Sequence, residues 1–565
     1  MKAKKLLSLL LALVLCLGTL AACNSDPKET TQSTTKATEG TTAATTAATT
    51  AATTEATEPE PLTNLDRYPI DFSGTLTAVT TKTEADKAHN YLLFEELTGV
   101  DIDWQIMSSE QVPLTFVGNS EMPDIFFNAS GISINQMNEY GAAGKLVNLL
   151  DEEILDKMPN LKAAYEADPK LFDAVKDPNG AAYAFPAYYY TLTMGSNMIF
   201  IRTDMTKKAG IEELPTTVEG FLEMCETLKN YYKDVEGYVP MVTNGGAGVK
   251  FGGVYAFPSM FFPAMGEYMK VDIGITLDGN TIYAGFATEQ YKRYLEFMNT
   301  CWEKGYLDPN CYATESNTDK AMMIEGKTTM NPNGTYMLPE NFYSGSLEDF
   351  TVLPPMTSQY QNEARWAFPN RYRTTTMAIS TTCKDIDAAC AFFDAMYATQ
   401  DNPIKDENGV KAWSVSLWLG ELGEDFVMNE EEKTYAVLPH DGYDTGAAWL
   451  TANSHSNANY MEWPYVEKSE SGLMTKALGQ RDVLYPYGVQ VQETSLLILN
   501  QEEQDTYNDC WTDINNKVTE MTAAFITGQA DLEKDWDTYI NDLYDMGLQE
   551  VIDVYQAALD RYNGK

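Results

Sequence analysis

The chain has little positive charge and very little histidine. Its 565 residues include 82 acidic side chains, 39 basic ones and three histidines, so the formal net charge is −43. This charge repels phosphate backbones and excludes nucleic-acid binding, and it also disfavours strongly anionic ligands. Because His89, His440 and His455 are widely spaced in the sequence, a histidine-based zinc site is not expected.

The cysteines lack the C-x-x-C spacing of a redox or metal motif. Several fall on apolar helical stripes, as Cys390 does beside Ile386 and Phe393, which predicts buried free thiols rather than disulfides. The segments 441–446 (DGYDTG) and 405–409 (KDENG) lack the regular oxygen-ligand spacing of a calcium loop and are interpreted as solvated turns. We therefore predict no metal and no cofactor. The six cysteines concerned are Cys225, Cys301, Cys311, Cys383, Cys390 and Cys510.

Catalytic motifs are also missing. No G-x-S-x-G nucleophile elbow occurs, and the glycine-rich segment 243–253 lacks the Lys–Ser/Thr ending of a phosphate-binding loop. A glycoside hydrolase needs two carboxyl groups about 5 to 9 Å apart. With 82 acidic residues such pairs arise by chance, so composition alone leaves a surface glycosidase open as an alternative.

Only one long apolar run is evident, from Leu6 to Leu20, and it is short for a membrane-spanning helix. It follows Lys2, Lys4 and Lys5 and is followed by Ala21, Ala22 and Cys23, which is typical of a secretion signal. The segment LAAC resembles the lipobox of bacterial lipoproteins. That resemblance implies that residues 1–22 are removed and that Cys23 is acylated, for example with palmitate.

Residues 23–65 are predicted to form a disordered tether. They consist largely of Thr, Ala, Glu and Pro and have too little bulky apolar surface to offset the entropy of ordering. A random coil of about 40 residues reaches about 35 Å on average, enough to hold a folded domain clear of a membrane. Loss of the three signal lysines would take the net charge from −43 to −46.

The beginning of the folded part has the pattern of a parallel sheet covered by helices. Residues 75–80 predict a strand, the next segment predicts a helix ending at Gly99, and residues 100–106 alternate like a strand. A third strand is predicted at 123–127. Ligands of such sheets collect at the carboxyl ends of the strands.

A second α/β system follows, with a strand near residue 200 and a helix whose N-cap is predicted at Thr216. Aromatic segments at 182–191 and around 366–373 separate the two systems, so the chain is expected to cross between two lobes more than once. A helix is predicted from about Asp385 to Tyr397, and a helical tail from about 502 to 562. Residues 401–465, which include Trp413, Trp418 and Trp449, are predicted to be rich in loops.

Several stretches resemble the family 1 extracellular solute-binding proteins, in particular the long lipoprotein branch associated with carbohydrate import. They include FEELTGVDIDW, MPDIFF, YGAAGKLVNLLDEEILDKMPNL, AAYAFP, IRTDMTKKAGIEELPTTVEGF, YLEFMNTCWEKGYLDPN and the tail from Phe525 to Asn563. Residues 401–465 have no counterpart in that resemblance.

The resemblance implies an α/β, two-lobed periplasmic-binding-protein-like fold of type II, with a ligand cleft between the lobes and a helical C-terminal tail. Lobe 1 is predicted to comprise residues 66–190 and 374–455, and lobe 2 residues 191–373 and 456–565. The resemblance further implies that the lobes close around the ligand as on a hinge and that the protein delivers the ligand, chemically unchanged, to the transmembrane subunits of an ABC permease.

The candidate ligand contacts are side chains that could stack on a sugar or bond its hydroxyl groups. Some are placed by the pattern at strand ends, others at the predicted crossings, and the rest in the second lobe. They are Thr81, Lys82, Glu84, Asn128, Ser130, Tyr188, Tyr189, Tyr190, Asn244, Phe257, Asn333, Tyr336, Trp366, Tyr372 and Trp463.

The predicted function is that of a substrate-binding lipoprotein of an ABC transporter that captures a neutral oligosaccharide. The protein is expected to be a monomer on the extracellular face of the bacterial cell membrane, attached through its lipid anchor alone. A peptide-binding importer lipoprotein and a surface glycoside hydrolase are the alternatives.

Overall fold

The computed structural model describes residues 63–117, 122–191, 198–242, 256–312, 316–331, 349–368, 371–405, 411–455, 460–463, 465–467 and 480–565. They belong to one unit, residues 62–565. Cys23, the predicted signal and nearly all of the predicted tether lie outside these ranges. None of the helices in the described ranges combines the length and apolar character needed to span a bilayer.

The strands of the described residues are short. In chain order they are β1 Thr75–Thr80, β2 Asp101–Ile106, β3 Ile125–Phe126, β4 Ala187–Thr191, β5 Phe200–Arg202, β6 Val239–Met241, β7 Ile273–Ile275, β8 Ile282–Ala284, β9 Thr328–Asn331, β10 Phe350–Val352, β11 Trp366–Ala367, β12 Tyr372–Arg373, β13 Ala378–Ile379, β14 Ile404–Lys405, β15 Lys411–Ala412, β16 Phe426–Asn429, β17 Thr434–Val437, β18 Tyr460–Trp463, β19 Val466–Glu467 and β20 Gly488–Val489.

The α-helices of the same ranges are α1 Asn64–Arg67, α2 His89–Thr98, α3 Ile134–Ala142, α4 Glu152–Leu155, α5 Pro159–Ala167, α6 Thr203–Lys208, α7 Val218–Tyr231, α8 Ala256–Phe261, α9 Glu289–Glu303, α10 Ser316–Ile324, α11 Ile386–Asp394, α12 Ser416–Leu419, α13 Gly446–Asn453, α14 Gln501–Thr527, α15 Leu532–Asp545 and α16 Leu548–Tyr562. The predicted helical tail is therefore confirmed as three helices.

The first sheet has the order β13-β3-β1-β2, with β2 and β3 parallel to β1 and β13 antiparallel to β3. In β2, Ile102 and Trp104 are buried and Asp101 and Asp103 are exposed, so the alternation in the sequence corresponds to the two faces of the sheet. The predicted parallel sheet is confirmed. Its third strand is shorter than predicted, because the Asp124 backbone N–H donates to the Thr77 hydroxyl at 3.0 Å rather than to a carbonyl oxygen of the neighbouring strand.

Helix α2 links β1 to β2 and packs on this sheet. It ends as predicted at Gly99, whose φ of 73° is left-handed, and a Cβ there would lie 2.6 Å from the Ile70 carbonyl oxygen. The ring of Tyr91, on α2, packs edge-on against Phe127, with centroids 5.1 Å apart. These aromatic contacts belong to a first hydrophobic core that runs from Tyr68 to Tyr465.

The second sheet has the order β10-β5-β9-β6 and lies in a second core that runs from Met198 to Leu559. Helix α7, which packs on it, has Thr217 as its N-cap, and the Thr217 hydroxyl accepts from Gly220 N at 3.0 Å. The prediction of Thr216 was wrong by one residue. The Thr216 carbonyl accepts from Thr357 N at 2.9 Å, which keeps that residue in an extended pairing.

The chain passes between the two cores at β4 and again at β12. β4 pairs with β12 on one side and with β18 on the other, forming a small sheet of its own. The chain enters β4 from the first core and next contributes to the second core at Met198, whereas β12 leads back to the first core at Met377. The exact lobe boundaries, 66–190 with 374–455 and 191–373 with 456–565, stay a prediction.

The six described cysteines are free, as predicted. Four of them are buried, whereas Cys383 and Cys510 are half-buried. Burial raises the pKa of the Cys390 thiol to about 12 and that of Cys383 to about 11, so both thiols are protonated at neutral pH.

Candidate functional site

A cavity of about 420 Å³ lies at the carboxyl ends of β1 and β3. Because these parallel strands end at the same edge of the sheet, the loops that follow them meet there. The remaining wall comes from residues 411–455, which we call the wall segment. The residues lining the cavity are Thr81, Lys82, Thr83, Asn128, Trp418, Leu450, Thr451 and Ser454.

The two strand-end loops are bonded to each other. Thr81 donates to the Asn128 carbonyl oxygen from its backbone nitrogen at 3.3 Å and from its hydroxyl at 2.8 Å, and Ser130 N donates to the Thr81 hydroxyl at 3.2 Å. Asn128 has a left-handed φ of 50°. Asparagine tolerates this conformation, and it turns the chain sharply after β3. Thr81 and Asn128 thereby both line the same cavity.

Lys82 is the cationic side chain among the described residues that line the cavity. Its Nζ donates to the Thr451 carbonyl oxygen at 3.2 Å and lies 5.9 Å from the centre of the Tyr91 ring. Partial burial lowers the pKa of Lys82. The ammonium group is thus a hydrogen-bond donor at the cavity surface that also fastens the wall segment to the end of β1.

The wall segment contributes the aromatic surface. Trp418 is half-buried on α12, and its ring packs edge-on against Tyr435 with centroids 5.6 Å apart. Sequence reasoning missed Trp418, Leu450, Thr451 and Ser454 as contacts. The feature of the sequence that could have indicated these contacts was the tryptophan-rich composition of residues 401–465.

The wall segment is more ordered than its loop-rich sequence predicts. β16 and β17 form a hairpin, at whose turn the Asn429 side chain accepts from Glu431 N and Glu432 N, each at 3.0 Å. The segment is held against α2 by Asn90, whose amide nitrogen donates to the carbonyl oxygens of Leu417 at 3.3 Å and Trp418 at 3.0 Å. Trp418 therefore has a fixed backbone position relative to the first sheet.

Two predicted strand-end contacts do not line the cavity. Glu84 and Ser130 are exposed, and Glu84 forms an ion pair with Lys87 at 3.1 Å. Of the five residues predicted at strand ends, the structure therefore brings Thr81, Lys82 and Asn128 together at the cavity.

Four of the five predicted tyrosine contacts, Tyr188, Tyr189, Tyr190 and Tyr372, lie in the small connecting sheet. The Tyr188 ring lies 5.8 Å from Tyr372 and 5.6 Å from Tyr460, centre to centre. Tyr372 donates to Asp168 at 2.9 Å, and burial together with the Asp168 carboxylate raises the pKa of Tyr372. Tyr188 and Tyr189 are 9% and 8% exposed, so the two side chains pack mainly within the protein.

The remaining predicted contacts lie elsewhere. Trp366 and Phe257 are 1% and 0% exposed in the second core, where Trp366 packs 5.8 Å from Tyr485, so neither ring has a face open to a ligand in this conformation. The backbones of Tyr190 and Trp463 lie in β4 and β18, but their side chains are outside the described part of the chain. Further contacts predicted outside the described residues are Asn244, Asn333 and Tyr336.

The chemistry of the cavity surface is that of hydroxyl, amide, ammonium and indole groups. None of the described residues lining it is an Asp or Glu, so this lining does not provide the carboxyl pair that glycoside hydrolysis uses. Within the described ranges there is also no group of three His, Cys, Asp or Glu placed to hold a metal ion. The cavity is therefore suited to binding a polar ligand through stacking and hydrogen bonds.

Other cavities lie away from the strand ends. Two, of about 400 and 540 Å³, lie where residues 170–180 and helix α3 meet the C-terminal helices. Another, of about 370 Å³, lies beside β7 and β8 in the second core region. None of the three is lined by a residue that the sequence predicted as a ligand contact.

Comparison with known proteins gives a consistent result. The family model described as bacterial extracellular solute-binding protein matches residues 74–403. The fructooligosaccharide ABC transporter substrate-binding protein FusA of Streptococcus pneumoniae strain TIGR4 is 23% identical over 496 residues, which are 83% of this chain and 86% of FusA.

Solved structures show the same fold. FusA in complex with kestose matches with a TM-score of 0.64 at 20% identity, over 87% of this chain and 100% of FusA. An HMO-binding ABC-transporter-associated solute-binding protein from Bifidobacterium longum infantis matches with a TM-score of 0.67 at 15% identity, over 87% of this chain and 99% of that one. The predicted two-lobed α/β fold with a helical tail is thereby confirmed.

Proposed function

Because this chain belongs to the family of bacterial extracellular solute-binding proteins, we propose that it is the substrate-binding component of an ABC transporter with a neutral oligosaccharide as its ligand. Its relative FusA is a fructooligosaccharide-binding component of such a transporter. A protein of this kind captures its ligand and releases it unchanged to a permease, so no enzymatic activity is proposed.

The observation that carries the proposal is the cavity at the strand ends. A sugar has apolar C–H faces and a ring of hydroxyl groups, and it needs an aromatic surface together with directional donors and acceptors. Trp418 offers the aromatic surface, and Thr83 and Asn128 offer a hydroxyl and an amide group. Lys82 adds a charged donor that a sugar hydroxyl can accept from.

A neutral ligand fits the charge of the protein. The chain has a formal net charge of −43, and Lys82 is the cation among the described lining residues. A polyanionic sugar would have to overcome the overall repulsion with one ammonium group at this surface. A neutral oligosaccharide meets no such repulsion.

We further propose that binding closes the two lobes, taken as residues 66–190 with 374–455 and 191–373 with 456–565. Two strands of the connecting sheet, β4 and β12, are where the chain path passes between the two cores, which supports a hinge there. Tyr188, Tyr189 and Tyr372 lie on its strands and are proposed to line the hinge side of the cleft.

The protein is proposed to act as a monomer on the extracellular face of the cell membrane. Cys23 would hold the lipid, residues 23–65 would form the tether, and the transmembrane subunits of an ABC permease would be the protein partners. The motif LAAC after the apolar run and the Thr/Ala-rich composition support this arrangement.

The test is titration calorimetry of residues 66–565 against gluco-, xylo-, manno-, galacto- and fructo-oligosaccharides and against short peptides. Binding of a neutral sugar, recovered unchanged by chromatography, is the expected result. Appearance of hydrolysis products would identify a glycoside hydrolase instead. Binding restricted to peptides would identify a peptide importer component.

A further inference from the structure

Two of the three histidines of the chain, His89 and His440, lie at the buried carboxyl group of Asp425. His89 begins α2, and its Nε2 lies 2.9 Å from Asp425 Oδ2. His440 follows β17, and its Nε2 lies 3.7 Å from Asp425 Oδ1. His455 follows α13 and packs edge-on against Phe127, with ring centres 5.6 Å apart.

The same carboxylate contacts the turn that follows Trp418. Its Oδ2 accepts from Glu421 N at 2.7 Å. It is packed so closely on Gly420, whose φ is 86°, that a Cβ there would lie 2.3 Å from Oδ2. Asp425 therefore fixes the turn that ends α12, the helix that presents Trp418 to the cavity.

Helix α13 is attached to the same cluster. The Trp449 ring stacks on the His440 ring with centres 4.0 Å apart and planes 8° apart, and it lies 5.8 Å from the His89 ring. His89 N also donates to the Asn453 side chain at 3.2 Å. Leu450, Thr451 and Ser454, which line the cavity, belong to this helix or follow it directly.

We propose that Asp425 is a positioning residue for ligand binding. Through its hydrogen bond to His89, and with His440 stacked on Trp449 beside it, Asp425 fastens both cavity-lining parts of the wall segment to α2, so that ligand affinity follows the protonation of His89. The inference rests on the proposed function in one respect, namely that the cavity at the strand ends is where the ligand binds.

The direction of the pH effect follows from the surroundings of His89. The hydrogen bond to Asp425 raises the pKa of His89, partial burial opposes this, and the charges of Asp425 and Glu421 add to the increase. Among the described residues, the other titratable group at the carboxylate is His440, while α13 presents the neutral Trp449 and Asn453. Because the pKa of His89 is higher in the folded than in the unfolded protein, its protonation stabilises the folded state. This stabilisation is complete below the unfolded-state pKa of about 6.5 and is lost as the pH rises through the folded-state pKa.

The experiment compares the protein with its Asp425→Asn and His89→Gln variants at about pH 6 and about pH 9. Hydrogen exchange of residues 411–455, corrected for the intrinsic rate, reports the wall segment without any ligand. In the unchanged protein we expect protection of the wall segment to fall about tenfold, relative to α9, on raising the pH. Asp425→Asn should have low protection at both values. His89→Gln keeps a side-chain donor that does not titrate, so its protection should not depend on pH.

Glu430→Gln is the matched control, because Glu430 is an exposed acid of the same segment that pairs with Lys433 at 3.0 Å, away from the histidines. It should behave like the unchanged protein. Titration with kestose and with the other sugars of the panel then gives the affinities, and we expect Asp425→Asn to bind about tenfold more weakly at about pH 6.

The outcomes are distinguishable. If the hydrogen-exchange protection of the wall segment is the same in Asp425→Asn as in the unchanged protein, the inference is overturned, whether or not a sugar binds. Altered protection with unaltered sugar affinity would overturn it as well. If no sugar binds to any variant while protection changes as described, the proposed ligand class is refuted and the fastening role of Asp425 is supported.

Discussion

Replacement of Trp418 by alanine should weaken sugar binding much more than it alters the fold. Trp418 is half-buried, with part of its ring against Tyr435 and part lining the cavity. A stacked sugar would cover about 60 to 100 Å² of the indole, which at about 25 cal/mol per Å² corresponds to about 1.5 to 2.5 kcal/mol. We therefore expect the dissociation constant to rise about 12- to 70-fold.

The assay is titration calorimetry with the best-binding sugar of the panel, accompanied by thermal unfolding of each variant. Trp302→Ala is the matched control, because Trp302 is also half-buried but packs against the second core on α9. It should lower the melting temperature and leave the affinity unchanged. Trp418→Phe should retain part of the affinity. A folded Trp418→Ala protein whose affinity stays within about twofold of the original would refute the assignment of Trp418 as the stacking surface.

Three further results are expected. Cys23→Ala should move the exported protein from the membrane fraction to the medium, and continued membrane retention would contradict lipid attachment at Cys23. Small-angle scattering should give a smaller radius of gyration with saturating sugar than without, whereas identical profiles for a demonstrably bound sample would argue against lobe closure. Arg67→Ala should lower the free energy of unfolding by about 3 kcal/mol in chemical denaturation, because the Asp394 carboxyl group, bonded to Arg67 at 2.6 Å and 0% exposed, would lose its buried counter-charge. An unchanged free energy would contradict this.

The first lobe was largely predictable because its signals are local. Strand alternation in residues 100–106, the apolar strand 75–80 and the helix end at Gly99 depend on neighbours in the sequence, and the structure has all three. The rule that ligands collect at strand ends led from these strands to Thr81, Lys82 and Asn128, and the structure places those residues around one cavity.

The sequence alone could not distinguish aromatic side chains that line the cavity from those buried in a core. Trp366 and Trp418 have the same side chain, and its large apolar ring favours burial in a core as much as stacking on a sugar. Trp366 pairs through β11 with β20 and is enclosed by the second core. Trp418 is held at the cavity partly by Asn90, more than 300 positions earlier, which bonds its backbone, and such distant pairings leave no local pattern.

The C-terminal residues bond to both halves of the molecule. Tyr562 donates to Asp173 beside the first core at 2.5 Å, while Arg561 donates to both carboxylate oxygens of Glu503 at 2.7 Å. The ends of many proteins tolerate affinity tags and labels, but here the final turn of α16 is part of the seam between the two halves. A fluorophore attached after Lys565 would therefore sit beside that seam and should change its emission when a ligand moves the halves, which makes this chain end a site for an optical reporter of sugar capture.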